Sequence, residues 1–211
     1  KDSINFFDEE GREVKKEIFE VNWDVAAAEK GGYEHFMIKE IHEQPKAVKD
    51  TMTSRIVPDS PTIKLDDIKL TKEDLDGINK IFIVACGTAY HAGMVGKYVI
   101  EKLANISVEV DIASEFRYRD PIVDNKTLTI IVSQSGETLD TFAALKEAKK
   151  RGSRILSVVN VVGSSIARES DDVLYTWAGP EIAVASTKAY TTQIIALYEI
   201  ALHMAHLKGT L

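Results

Sequence analysis

Ser133, Gln134, Ser135 and Thr138 crowd around Gly136 in the stretch SQSGET, directly after the apolar run TLTIIV. Four hydroxyl or amide side chains thus fall within six positions. The helical pattern LDTFAALKEAKKRG begins immediately afterwards. At such a junction the first helical N–H groups have no intrahelical partner, and the positive end of the helix dipole faces the loop. Small hydroxyls and an amide add donors, and a glycine lets the backbone curl close to a guest. The chemistry implied is capture of an anion, above all a phosphate ester, without a lysine. The competing reading is an ordinary helix cap, which Ser133 or Thr138 would also make.

Two further junctions share this form: ACGTAYHAG, Ala85 to Gly93, and EIAVASTKAY, Glu181 to Tyr190. A Walker A loop requires G-x-x-x-x-G-K-[ST], and no such string occurs. A dinucleotide fingerprint requires G-x-G-x-x-G, whereas the first junction has no glycine between Gly87 and Gly93. A monophosphate ester therefore fits better than a nucleotide. Cys86 and His91 would make a nucleophilic pair only with a third, orienting group, so Cys86 reads as a small buried residue at a strand end. His203 and His206 have helical i,i+3 spacing but no neighbouring carboxylate or cysteine to complete a metal site. They read as surface or interface residues, and neither metal nor cofactor is expected. Lys188 serves either to neutralise a phosphate or as a solvated charge.

The elements that must position these loops follow from periodicity. KIFIVACG, SVEVDIA, TLTIIV, RILSVVNV and DVLYTW are short, β-branched runs separated by helical patterns. Strands alternating with helices predict right-handed βαβ crossovers and a parallel sheet covered on both faces. Leu70 to Gly209 thus reads as α/β: a doubly wound, five-stranded parallel sheet, with ligands expected beyond the carboxyl ends of its strands. LTKEDLDGIN predicts a short helix capped by Thr71 with Asp74 three residues on. A long helix is expected from about Thr187 to Leu207, ended by Gly209. Ahead of the sheet, INFFDEEGREVKKEIFEV predicts a hairpin around an Asp-Glu-Glu-Gly turn. A helical segment follows, with a break at Gly31-Gly32 and an apolar stripe through Phe36, Met37, Ile41 and Val48. Pro45 is expected to kink or restart that helix.

The chain has 211 residues, enough for one large domain or two small ones. A net charge of -7 argues against nucleic acid and anionic membrane surfaces as partners. Small anions remain admissible because local amides hold them. The single cysteine permits no internal disulfide, so a reducing, cytoplasmic setting is expected. The chain starts without Met, and we expect it to be a piece of something longer.

The three loops together closely resemble the first sugar isomerase (SIS) domain of the glutamine–fructose-6-phosphate aminotransferases (isomerizing), also called glucosamine-6-phosphate synthases. AAAEKGGYEHFMIKEIHEQP is similar to the stretch joining that family's glutaminase domain to its isomerase part. SQSGET alone marks only the broader SIS superfamily. The resemblance implies three regions: 1–22 as the tail of a glutaminase domain, 23–69 as a helical joining segment and 70–211 as the SIS domain. It implies that Thr88, Ser133, Gln134, Ser135 and Thr138 hold a sugar phosphate and that Val184, Ala185 and Ser186 line the sugar. Fructose 6-phosphate, glucosamine 6-phosphate and glucose 6-phosphate are the ligands implied, with the remaining synthase domains and a second copy as partners. Ala89 departs from the serine that many members carry. The family's catalytic glutamate, histidine and lysine belong to a second SIS domain and a tail, so no catalytic residue is expected in this chain. Two rivals stand beside this. One is an SIS sensor module of a regulator, although no basic recognition helix precedes the sheet. The other is a stand-alone sugar-phosphate isomerase, in which Glu137 or Glu181 would have to act as base.

Overall fold

The computed structural model describes residues 4–15, 29–56 and 63–211. The short helix expected before Gly31 and part of the loop after Arg55 lie outside them. At the start, β1 (Phe6–Phe7) and β2 (Glu13–Val14) pair antiparallel around the expected turn. Helix α1 (Phe36–Met52) follows, then α2 (Lys72–Gly77), whose Thr71 and Asp74 exchange the two bonds of a capping box.

The remaining chain alternates strand and helix. The elements are β3 (Lys80–Ala85), α3 (Gly87–Ala104), β4 (Ser107–Ile112), α4 (Ala113–Phe116), β5 (Thr127–Ser133) and α5 (Leu139–Lys150). After them come β6 (Arg154–Val159), α6 (Ser165–Glu169), β7 (Asp172–Tyr175) and α7 (Lys188–Lys208), which ends at left-handed Gly209. All neighbours in the five-stranded sheet are parallel, in the order β4-β3-β5-β6-β7. Strand order reverses between β3 and β5, so the crevice at their carboxyl ends is the topological switch point.

Alternation along β3 divides the core. Ile81, Ile83 and Ala85 face a cluster with α3 and α7, whereas Phe82 and Val84 face one with α4, α5 and α6. Every residue of the central β5 is buried, as a strand covered on both faces requires. Edge strand β4 departs from the uniformly apolar reading and exposes Ser107, Glu109 and Ile112. Gly96 lets α7 approach α3 closely: a Cβ there would lie 2.9 Å from Leu197 Cδ1. Leu197 and Ile200 of α7 are buried in the same core cluster.

Helix α1 turns much of its polar side inward. Of its apolar stripe, Met37 and Ile41 are exposed and Phe36 and Val48 half-buried, while Lys39, Glu40, Ala47 and Thr51 are buried. Pro45 does not restart the helix, which runs through it. A proline removes one N–H and frees the carbonyl four residues back. Here Gln44 Nε2 donates to that carbonyl, Ile41 O, at 3.1 Å. Just beyond α1, the buried Arg55 donates through Nη1 to Glu199 Oε2 (2.8 Å) and Thr51 O (3.0 Å), and through Nη2 to Tyr175 O. Burial pushes the Glu199 carboxyl above its usual range although Arg55 pulls it down.

His206 is exposed, but His203 is half-buried, and its Nε2 has no partner among the described residues. Burial holds its pKa below the ordinary imidazole value, with His206 adding to this and Asp172 opposing it. The unfolded chain therefore takes up this proton more readily. The associated stability is present above about pH 6.5 and is lost as the pH falls below it. Thermal unfolding followed from about pH 7 to about pH 5 should show a steeper loss in the parent than in His203→Leu.

Candidate functional site

At the switch point a cavity of about 240 Å³ opens between the ends of β3 and β5 and the segment leading into α7. Thr88, Ser133, Gln134, Ser135, Thr138, Val184 and Ser186 all line it. Ala185 is exposed and does not, although its two neighbours do.

The loop after β5 is organised by its own hydroxyls. Ser133 Oγ accepts from Gly136 N at 3.1 Å, and Ser135 Oγ accepts from Glu137 N at 3.2 Å. A hydroxyl that accepts an amide still has its single O–H to donate. Thr138 occupies the N-cap position of α5 without making a side-chain cap bond; its Oγ1 lies 3.3 Å from Ser133 Oγ. The first-turn N–H groups of α5 are thus left uncapped by the residue best placed to cap them. Cys86, at the N-cap of α3, makes no cap bond either; its Sγ accepts from Thr141 Oγ1 at 3.6 Å. His91 is exposed, with its ring edge-on to Tyr90. Two helix N-termini thereby border one cavity that is rich in hydroxyls.

Gly136 has a different reason from the one the sequence suggested. Its φ is +65°, and a Cβ would stand 2.0 Å from Ser164 Oγ and 2.5 Å from Ser164 Cβ. The close approach is to the loop before α6, and no side chain fits between.

The third wall is held from outside. Glu181 accepts from Thr187 N (2.9 Å), Ala189 N (3.1 Å) and the hydroxyls of Ser186 (3.1 Å) and Thr187 (3.4 Å). This carboxylate closes the N-terminus of α7, where Thr187 makes no cap bond. From α1, Glu40 Oε1 accepts from Ile182 N (2.7 Å) and Ala183 N (3.2 Å). Glu43 binds Lys188 Nζ at 2.6 Å, and Gln44 Oε1 accepts from Thr191 Oγ1 at 2.6 Å. Lys188 is therefore neither solvated nor a cavity cation; it is buried and neutralised by α1. Asn160, after β6, ties two loops together. Its N–H donates to Gln134 O (3.1 Å), its Oδ1 accepts from Thr176 Oγ1 (3.1 Å) and Ala178 N (2.8 Å), and its Nδ2 donates to Gly179 O (2.7 Å). Between those contacts Trp177 takes a φ of +54°, a rare conformation for a bulky residue.

Sequence reasoning did not assign Thr141, Ala183 or Gln193 to the cavity, and all three line it. The one signal for Gln193 is an amide in an otherwise mostly apolar stretch, QIIALYEIAL. Among the described residues, no group of three or more His, Cys, Asp or Glu is placed to hold a metal ion.

A doubly wound parallel sheet with a polar cleft at its switch point defines an α/β ligand-binding domain. Residues 74–203 match the SIS domain family, and the chain belongs to it. Over all 211 residues it is 71% identical to the glutamine–fructose-6-phosphate aminotransferase [isomerizing] of Caldanaerobacter subterraneus subsp. tengcongensis. It is 68% identical over the same length to that of Clostridium tetani. It spans 34% of each relative. Among solved structures, the C-terminal domain of glucosamine-fructose-6-phosphate aminotransferase from Francisella tularensis superposes with a TM-score of 0.80 at 47% identity. That superposition covers 87% of this chain and 51% of the other.

Proposed function

We propose that the cavity holds a hexose 6-phosphate, with fructose 6-phosphate first and glucosamine 6-phosphate and glucose 6-phosphate as related guests. In this reading the chain is the substrate-binding half of the isomerase part of a glutamine-dependent aminotransferase and binds without turnover. Residues 1–22 belong to the end of a glutaminase domain, 23–69 to the joining segment and 70–211 to the first SIS domain. The protein works in the cytoplasm as a homodimer. The observation that carries the reading is the β5 loop: hydroxyls that accept their own backbone amides have O–H groups left for an anion, beside two uncapped helix N-termini.

Absence of turnover rests on the carboxylates. Proton transfer between neighbouring sugar carbons requires a base within hydrogen-bond reach. Among the described residues, Glu181 is the one carboxylate lining the cavity, and four donors of the α7 entry engage it. Glu137 is exposed and accepts from Ser165 N at 2.7 Å.

Calorimetric titration with fructose 6-phosphate tests the binding. Ser135→Ala and Thr138→Ala should each weaken it by about 1.5–3 kcal/mol, roughly 10- to 150-fold. Affinities equal to the parent's would reduce the loop to a helix start. An isomerisation assay tests the rest, and turnover abolished by Glu181→Gln would replace this reading with a stand-alone isomerase.

A further inference from the structure

Six buried side-chain polar atoms have no hydrogen-bond partner among the described residues: Glu40 Oε2, Ser157 Oγ, Ser164 Oγ, Gln193 Oε1, Glu199 Oε1 and His203 Nε2. Only one belongs to a residue that lines the cavity, Gln193. Its side chain reaches the cavity from α7, a different wall from the β5 loop, and the residue is 3% exposed. An unpaired buried amide oxygen is costly, and native proteins leave few of them. Its neighbours do not explain it. Glu181 offers only acceptor oxygens, and the Thr141 hydroxyl donates to Cys86.

We propose that Gln193 is a specificity-determining residue of this cavity, its Oε1 accepting a hydrogen bond from a hydroxyl of the bound sugar. The proposal rests on the sugar-phosphate reading above and adds the part of the ligand that Gln193 recognises. The oxygen is an acceptor without a donor, so the phosphate cannot be its partner, because a dianionic ester brings further acceptors. A sugar hydroxyl brings a donor. It would also satisfy the amide nitrogen were the two ends of the side chain exchanged, because a hydroxyl both donates and accepts. A site built to bond a hydroxyl discriminates strongly against ligands that lack it, since its buried polar group is then left unpaired.

The test separates the two halves of the ligand. Gln193→Met and Gln193→Leu, in the 211-residue chain, are titrated with fructose 6-phosphate and with ethyl phosphate, which lacks sugar hydroxyls. The expected result is a loss of about tenfold for fructose 6-phosphate, with ethyl phosphate within about twofold of the parent. The free variants should melt no lower than the parent, because Oε1 has no bond to lose. Unchanged fructose 6-phosphate affinity would overturn the proposal. So would a matching loss for both ligands with a lowered melting temperature, which would make Gln193 a structural support. A parent that binds neither ligand would overturn the sugar-phosphate reading itself, and this proposal with it.

Discussion

Gly136→Ala is expected to abolish measurable fructose 6-phosphate binding and to destabilise the fold by about 3 kcal/mol, from left-handed strain and steric overlap together. The new methyl would stand 2.0 Å from Ser164 Oγ, and Ser164 is itself buried. Either the loop after β5 or the start of α6 must move. Gly136 is bound to both, since its N–H donates to Ser133 Oγ and its carbonyl accepts from Ile166 N at 3.0 Å. Ser164→Gly added to the alanine variant should recover the overlap part of the stability and leave the conformational part lost. Calorimetry and urea unfolding of the three proteins check this. An alanine variant that binds as the parent does would show that the loop can be rebuilt without consequence.

Arg55→Ala should lower stability by about 3–5 kcal/mol, because it leaves the Glu199 carboxylate buried without a counter-charge. It also strips donors from Thr51 O and Tyr175 O, so the joint between α1, β7 and α7 loosens together. The loss depends on pH in a defined direction. Burial raises the Glu199 pKa in the folded state even with Arg55 present. The protonated, neutral form is therefore favoured by folding, and stability is highest below the usual glutamate value and declines as pH rises through the raised one. Urea unfolding at about pH 4.5 and about pH 7.5 should show the larger deficit of the variant at the higher value. Arg55→Met combined with Glu199→Leu should regain most of it by removing both charges. A deficit independent of pH would mean that the lost carbonyl contacts, and not the carboxylate, dominate.

Much of the sheet was legible because its signal is local. β-branched apolar runs between helical patterns specify parallel strands, and Thr71 with Asp74 spells out its own cap. The β5 loop was legible for the same reason, since four polar side chains at a strand end have little to do in a core. What escaped depends on partners distant in sequence. Nothing near Glu40 shows that its carboxylate will bind the amides of Ile182 and Ala183, so the polar side of α1 could not be recognised as its inner side. Lys188 was ambiguous because Glu43 lies 145 positions away. Gly136 was correctly singled out, but its closest neighbour, Ser164, comes from another junction.

Three consecutive grips, Glu40 on the Ile182–Ala183 backbone, Glu43 on Lys188 and Gln44 on Thr191, make α1 a handle on the cleft's outer lip. Polar contacts of this kind transmit a pull along the helix axis, where a greasy interface would slide. The backbone that α1 holds, Ile182–Ala183, runs directly into Val184 of the cavity wall, so that wall takes its position from an element outside the sheet.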